Sequence, residues 1–204
     1  MPDEMQPIAS RRLAWAAGSV AGGVSFVIAK MLIPASVSDI SRHDLHLAKN
    51  IGFVFPAMLG LALGWVERSL LRMLLAMTTG SALGAIYAQL CGDRFEYVSA
   101  MLGFPCVIGG VYALLLGRDR RSWLGEAPWR FLKGLVAGFV CGFVYTISLN
   151  VVVIPILFTS SVPYENYSKL MWLMGPLALT LAGGVFLPLF CWSLGLQFAK
   201  PKPN

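Results

Sequence analysis

The chain has 204 residues, of which 57% are hydrophobic and only 13% charged, about half the roughly 25% charged share usual for soluble proteins. That balance excludes an ordinary soluble domain, a disordered chain and a nucleic-acid binder. The net charge of +6 sits between long apolar runs, which is the pattern of membrane loops.

A helix needs about 20 apolar residues to cross the hydrocarbon core. Six stretches fit that requirement: 13–33, 50–66, 70–91, 98–116, 131–158 and 171–198. The expected fold is all-α, a single polytopic bundle of six transmembrane helices over residues 1–204 with no separate soluble domain. The second and fourth stretches are short, and the fifth is long enough to tilt. Pro34 and Pro155 are expected at helix ends, where a missing N–H costs little. The first stretch follows Arg11 and Arg12 and has no clean small-residue cleavage site, so it reads as a retained anchor.

Counting Lys and Arg by loop predicts the orientation. One side carries Arg11, Arg12, Arg68, Arg72, Arg118, Arg120, Arg121, Arg130, Lys133, Lys200 and Lys202; the other carries Lys30, Arg42, Lys49, Arg94 and Lys169. The positive-inside rule then places both termini in the cytoplasm and the protein in a cell (inner or plasma) membrane. Trp15, Trp65 and Trp192 fall at the inner helix ends, as an aromatic belt requires.

An internal pattern runs through the spans. Odd-numbered helices open on a basic residue and then carry glycines four apart: Gly18 and Gly22, Gly80 and Gly84, Gly138 and Gly142. Even-numbered helices carry a proline followed by glycines: Pro56 with Gly60 and Gly64, Pro105 with Gly109, Pro176 with Gly183. The pattern reads as three tandem helical hairpins. Residues four apart share a helix face, so each glycine pair makes a groove that lets two backbones approach closely in lipid. Such grooves serve packing within the bundle or docking of a second copy or another membrane subunit.

Residues that could carry chemistry are few. No Asp, Glu or His lies deep inside a predicted span, which argues against a proton carrier with an intramembrane carboxylate and against histidine-ligated haem. No cofactor is expected, and no nucleotide-binding fingerprint is present. Extending each odd helix beyond its glycines reaches Lys30, Gln89 and Asn150 at a shared depth, with Thr146 one turn before Asn150. An ammonium beside two carboxamides suits a polar or anionic solute; alternatively, Lys30 snorkels and Asn150 bonds a neighbouring helix. Asp39, His43 and His46 fall on one helical face and form a weak metal-ligand set. Arg118, Arg120 and Arg121 suit anionic lipid headgroups.

The leading expectation is a non-enzymatic membrane subunit or scaffold whose glycine-grooved faces dock a partner, as a homo-oligomer or with another membrane subunit. The alternative is a small transporter or channel with a site near Lys30, Gln89 and Asn150. A membrane enzyme built on loop side chains such as Glu67, Arg68, Arg94 and Glu96 ranks last.

Overall fold

The computed structural model describes residues 10–35, 40–91, 104–116, 123–159 and 164–194. They form six helices: α1 (Arg11–Met31), α2 (Ile40–Glu67), α3 (Leu70–Cys91), α4 (Phe104–Leu116), α5 (Trp123–Thr159) and α6 (Tyr164–Ser193).

Local chemistry sets several boundaries. Ser10, extended at φ −61° and ψ 151°, caps α1 by accepting the Leu13 N–H at 3.3 Å. Two residues separate α2 from α3, and the first, Arg68, adopts a left-handed φ of 53°. The Ser69 N–H then reaches back to the Gly64 carbonyl at 3.0 Å, closing α2 by a six-residue hydrogen-bonded turn. Ser69 also opens α3, its hydroxyl accepting the Arg72 N–H at 3.4 Å. So short a connection makes α2 and α3 antiparallel neighbours.

Four helical segments are long and apolar enough to cross a membrane: Arg11–Met31, Leu45–Glu67, Ala127–Leu149 and Trp172–Ser193. These make the chain a multi-pass membrane helix bundle. The sequence suggested six such spans. Among the described residues, the apolar parts of α3 and α4 are the shorter Leu70–Ile86 and Pro105–Leu115. The 13 residues of α4 rise about 20 Å, short of the roughly 30 Å hydrocarbon core.

Other boundaries also differ from the expectation. Helix α2 starts at Ile40, so residues expected in the first outer loop are continuous with the span. Helix α5 continues to Thr159 and therefore contains Pro155. Helix α6 starts at Tyr164, directly after Pro163, and ends at Ser193.

The helices follow one another around a ring that α6 closes against α1. Helix α1 packs on α6 and α2, α2 on α3, α4 on α5, and α5 on α6; α3 touches α4 lightly. Helix α6 also touches α2 and α4. Where these meet, the interior is filled by Leu59, Leu63, Tyr112, Phe186, Leu187 and Phe190, all buried. Phe186 stacks on Phe190 with centroids 5.2 Å apart, and Tyr112 lies 5.5 Å from Phe190. The exterior is aliphatic and aromatic, with Val20, Leu74, Val136, Phe143 and Leu177 among its exposed residues. A packed centre with an apolar outside is the inversion of a soluble surface that lipid permits.

Candidate functional site

The glycines of the sequence pattern lie in close helix crossings within the chain. A Cβ at Gly18 would strike the Gly183 carbonyl, and one at Gly22 the Leu179 carbonyl. On α2 and α3, a Cβ at Gly84 would meet the Gly52 carbonyl, at Gly60 the Ala76–Met77 peptide, and at Gly64 Met73. On α4 and α5, a Cβ at Gly138 would meet the Pro105 carbonyl, and one at Gly134 the Gly109 carbonyl. In each pair the contacts advance by about four residues on one helix and recede by four on the other, as antiparallel small-residue faces require. Opposing carbonyls fill the space of the missing side chains, the arrangement in which weak Cα–H···O contacts recur at helix crossings.

These contacts pair α2 with α3, α4 with α5 and α6 with α1. Of the hairpin pairs that the tandem pattern predicts, α1 also packs on α2 and α5 on α6, while α3 touches α4 only lightly. Each odd helix therefore turns its glycines to the even helix before it, and α1 turns its own to α6. Gly142 is also buried.

Gly80 accommodates a side chain. Its missing Cβ leaves room for the Tyr112 hydroxyl from α4, beside Pro56 of α2. That hydroxyl lies 2.9 Å from the Pro56 carbonyl and 2.5 Å from the Ala76 carbonyl, sharing one proton between them. Tyr112 is 1% exposed and ties three helices together. Sequence reasoning missed it, although Pro105, Gly109 and Tyr112 fall on one face at helical spacing.

The α1/α6 seam continues beyond the glycines toward the C-terminal end of α1. The Phe26 ring occupies the space at Gly175 and meets Trp172 edge-on, centroids 6.3 Å apart. One turn further, Lys30 Nζ sits 4.8 Å over the Trp172 ring. The exposed Lys30 thus extends the grooved face toward α6. Close by, Asn50 of α2 donates its amide to the Ala29 carbonyl at 3.0 Å. Ala29 lies in the last turn of α1, so Asn50 satisfies one of the carbonyls that a helix end leaves unpaired. The sequence reading took Asn50 only as the start of a span.

The other members of the proposed polar trio lie on different helices. Gln89 is exposed on α3, and the side chain of Asn150 on α5 lies outside the described residues. Thr146 is half-buried and donates to the Gly142 carbonyl of its own helix at 2.8 Å. Helices α1, α3 and α5 alternate with even helices around the ring, so Lys30 and Gln89 stand on helices that are not packing neighbours.

At the basic end, Arg72 pairs with Glu67 at 3.1 Å across the α2/α3 turn, the two side chains being 24% and 5% exposed. Arg130, expected on the cationic rim, is buried at 9%. Trp15, Trp65, Trp129 and Trp192 are each more than half exposed, and Lys133 Nζ lies 5.0 Å over Trp192. Asp39, the His43 side chain, Arg118, Arg120 and Arg121 lie outside the described residues. Among the described residues, no group of three His, Cys, Asp or Glu could hold a metal.

Comparison with protein-family models, with curated proteins and with solved structures finds no match to this chain.

Proposed function

We propose that the protein is a non-enzymatic subunit or scaffold of the cell membrane, with α3 as its open face. The carrying observation is the one-sided packing of α3. It lies against α2 and only lightly against α4, leaving Leu71, Leu75, Thr78, Ala82, Ile86 and Gln89 exposed at helical spacing. Thr78 and Ala82, four apart, allow a second helix to come close, and Gln89 offers that helix an amide. The glycine grooves themselves are occupied within the chain, so their role in this reading is to make the bundle rigid. A second copy of the chain is the partner this face suits first, with another membrane subunit as the alternative.

Cysteine cross-linking in membranes tests the proposal. With the native cysteines replaced, Ala82→Cys is expected to give a disulfide-linked dimer, and Val136→Cys on the exposed face of α5 is not. A wild-type chain that is monomeric in the bilayer and co-purifies with no stoichiometric membrane protein overturns it. Placement of both termini in the cytoplasm belongs to the same reading and is tested by labelling a cysteine at Arg12 from each side.

The alternative, a transporter or channel for a polar or anionic solute at Lys30, Gln89, Thr146 and Asn150, draws less support. Lys30 is engaged with Trp172, and aromatic and aliphatic side chains fill the centre around α6. Its test is Asn150→Leu, which is expected to abolish solute flux if those residues line a pathway.

A further inference from the structure

The apolar span of α6, Trp172–Ser193, carries a tryptophan near each end, each with a lysine from a different flanking helix on its ring. Trp172 holds Lys30 of α1 at 4.8 Å, and Trp192 holds Lys133 of α5 at 5.0 Å. The tryptophans are twenty residues apart on α6, which at helical rise is about 30 Å, the thickness of a bilayer's hydrocarbon core. A bilayer whose hydrocarbon layer lies between the two rings would set one ammonium at each headgroup level.

Among the described residues, neither lysine has a carboxylate or carbonyl partner. A π-face attracts the charge without accepting all three N–H donors. Each ring instead holds the flexible lysine stem in place, reducing the rotamer freedom lost when an anion binds. Below each lysine the surface is apolar. Val20, Val24, Val27 and Met31 are exposed along α1, and Leu173, Leu177 and Leu181 along α6. On the Lys133 side, Leu132, Val136, Phe139 and Phe143 form the corresponding stripe on α5.

We propose that Lys30 with Trp172 and Lys133 with Trp192 are two phospholipid-phosphate sites, one in each leaflet. The ammonium binds the phosphodiester, and the apolar stripe beside it receives the acyl chains. The stripes favour a lipid over free phosphate, because both face the hydrocarbon layer. The proposal rests on the membrane bundle alone and stands independently of the α3 docking face.

The test is native mass spectrometry of the delipidated full chain titrated with dioleoyl phosphatidylglycerol. The wild type is expected to retain two tightly held lipids. Lys30→Met and Lys133→Met are each expected to weaken one site by about fivefold, the scale of a basic residue at a membrane surface, and the double variant to weaken both. Lys30→Arg and Lys133→Arg keep the charge and are expected to retain both lipids, which separates loss of a site from loss of fold. Trp172→Leu leaves the ammonium in place but unsupported and is expected to weaken the Lys30 site. Unchanged lipid occupancy in the double methionine variant overturns the proposal, as does loss at only one of the two lysines. Equal displacement of lipid by inorganic phosphate at the same concentration overturns the lipid assignment.

Discussion

Replacing Gly80 by alanine puts a methyl group where the Tyr112 hydroxyl lies and 2.9 Å from both the carbonyl carbon and Cβ of Pro56. Helix propensity alone favours alanine over glycine by about 1 kcal/mol, so the crossing and the propensity predict opposite signs. Overpacking a closed site costs about 1–3 kcal/mol, and here the obstruction includes backbone that cannot rotate away. Gly80→Ala is therefore expected to destabilise the bundle by about 2 kcal/mol. Tyr112→Phe keeps the ring on Phe190 but removes the proton shared by the Pro56 and Ala76 carbonyls. That loss is worth about 1 kcal/mol, the scale of a hydrogen bond between membrane helices. In the phenylalanine background the new methyl no longer meets a hydroxyl, yet it still meets Pro56. The cost of Gly80→Ala is then expected to fall by about 1 kcal/mol without vanishing, a coupling large enough for a double-mutant cycle to resolve. Unfolding by sodium dodecyl sulfate in mixed micelles, followed by circular dichroism, measures all four variants. Single costs that add to within about 0.3 kcal/mol, or a Gly80→Ala chain more stable than wild type, refute the reasoning.

The same unfolding assay checks four further expectations. Arg68 holds φ 53° at the α2/α3 turn, so Arg68→Gly relieves a side chain from the left-handed region and is expected to stabilise by about 1 kcal/mol; a loss of stability shows that the arginine side chain outweighs its backbone cost. Among the described residues the buried Ser19 hydroxyl has no hydrogen-bond partner, so Ser19→Ala is expected to be neutral or stabilising by up to about 1 kcal/mol, whereas a clear loss refutes the orphaned hydroxyl. Glu67→Gln leaves the Arg72 guanidinium beside a neutral partner and is expected to cost about 2 kcal/mol, while the paired change Glu67→Leu with Arg72→Met recovers most of it. Asn50→Ala uncovers the Ala29 carbonyl and is expected to cost about 1 kcal/mol, with faster amide exchange in the last turn of α1 as the independent readout.

The residues differ in how far they declared themselves in the sequence. Hydrophobic runs locate α1 and α3 well, because a long apolar run is recognised by length and apolarity alone. The glycines were recognisable as contact faces, since four-residue spacing fixes which side chains share a face. Their partners were not: that Gly18 meets Gly183 while Gly84 meets Gly52 depends on which helices lie side by side, and local pattern carries no information on that. Lys30 was identified as unusual, but its place over Trp172 arises from a helix more than a hundred residues away in the chain. Tyr112 and Asn50 were overlooked because one polar atom on an apolar helix has no repeat to reveal it. Glu67 and Arg72 sit at an expected loop, where charge normally means exposure; a two-residue turn instead buries the carboxylate.

The α1/α6 crossing has a consequence for biosynthesis. The helix synthesised first among the six pairs most intimately with the helix synthesised last, through Gly18 and Gly183. Translation at about 5–20 residues per second separates their emergence by on the order of ten seconds. Throughout that interval the small-residue face of α1 has no mate from its own chain, while α2 and α3 can already close around their two-residue turn. The newborn protein is therefore an open arc in the membrane, with α1 held by lipid, by α2 or by the insertion machinery. Arrival of α6 closes the arc into a ring.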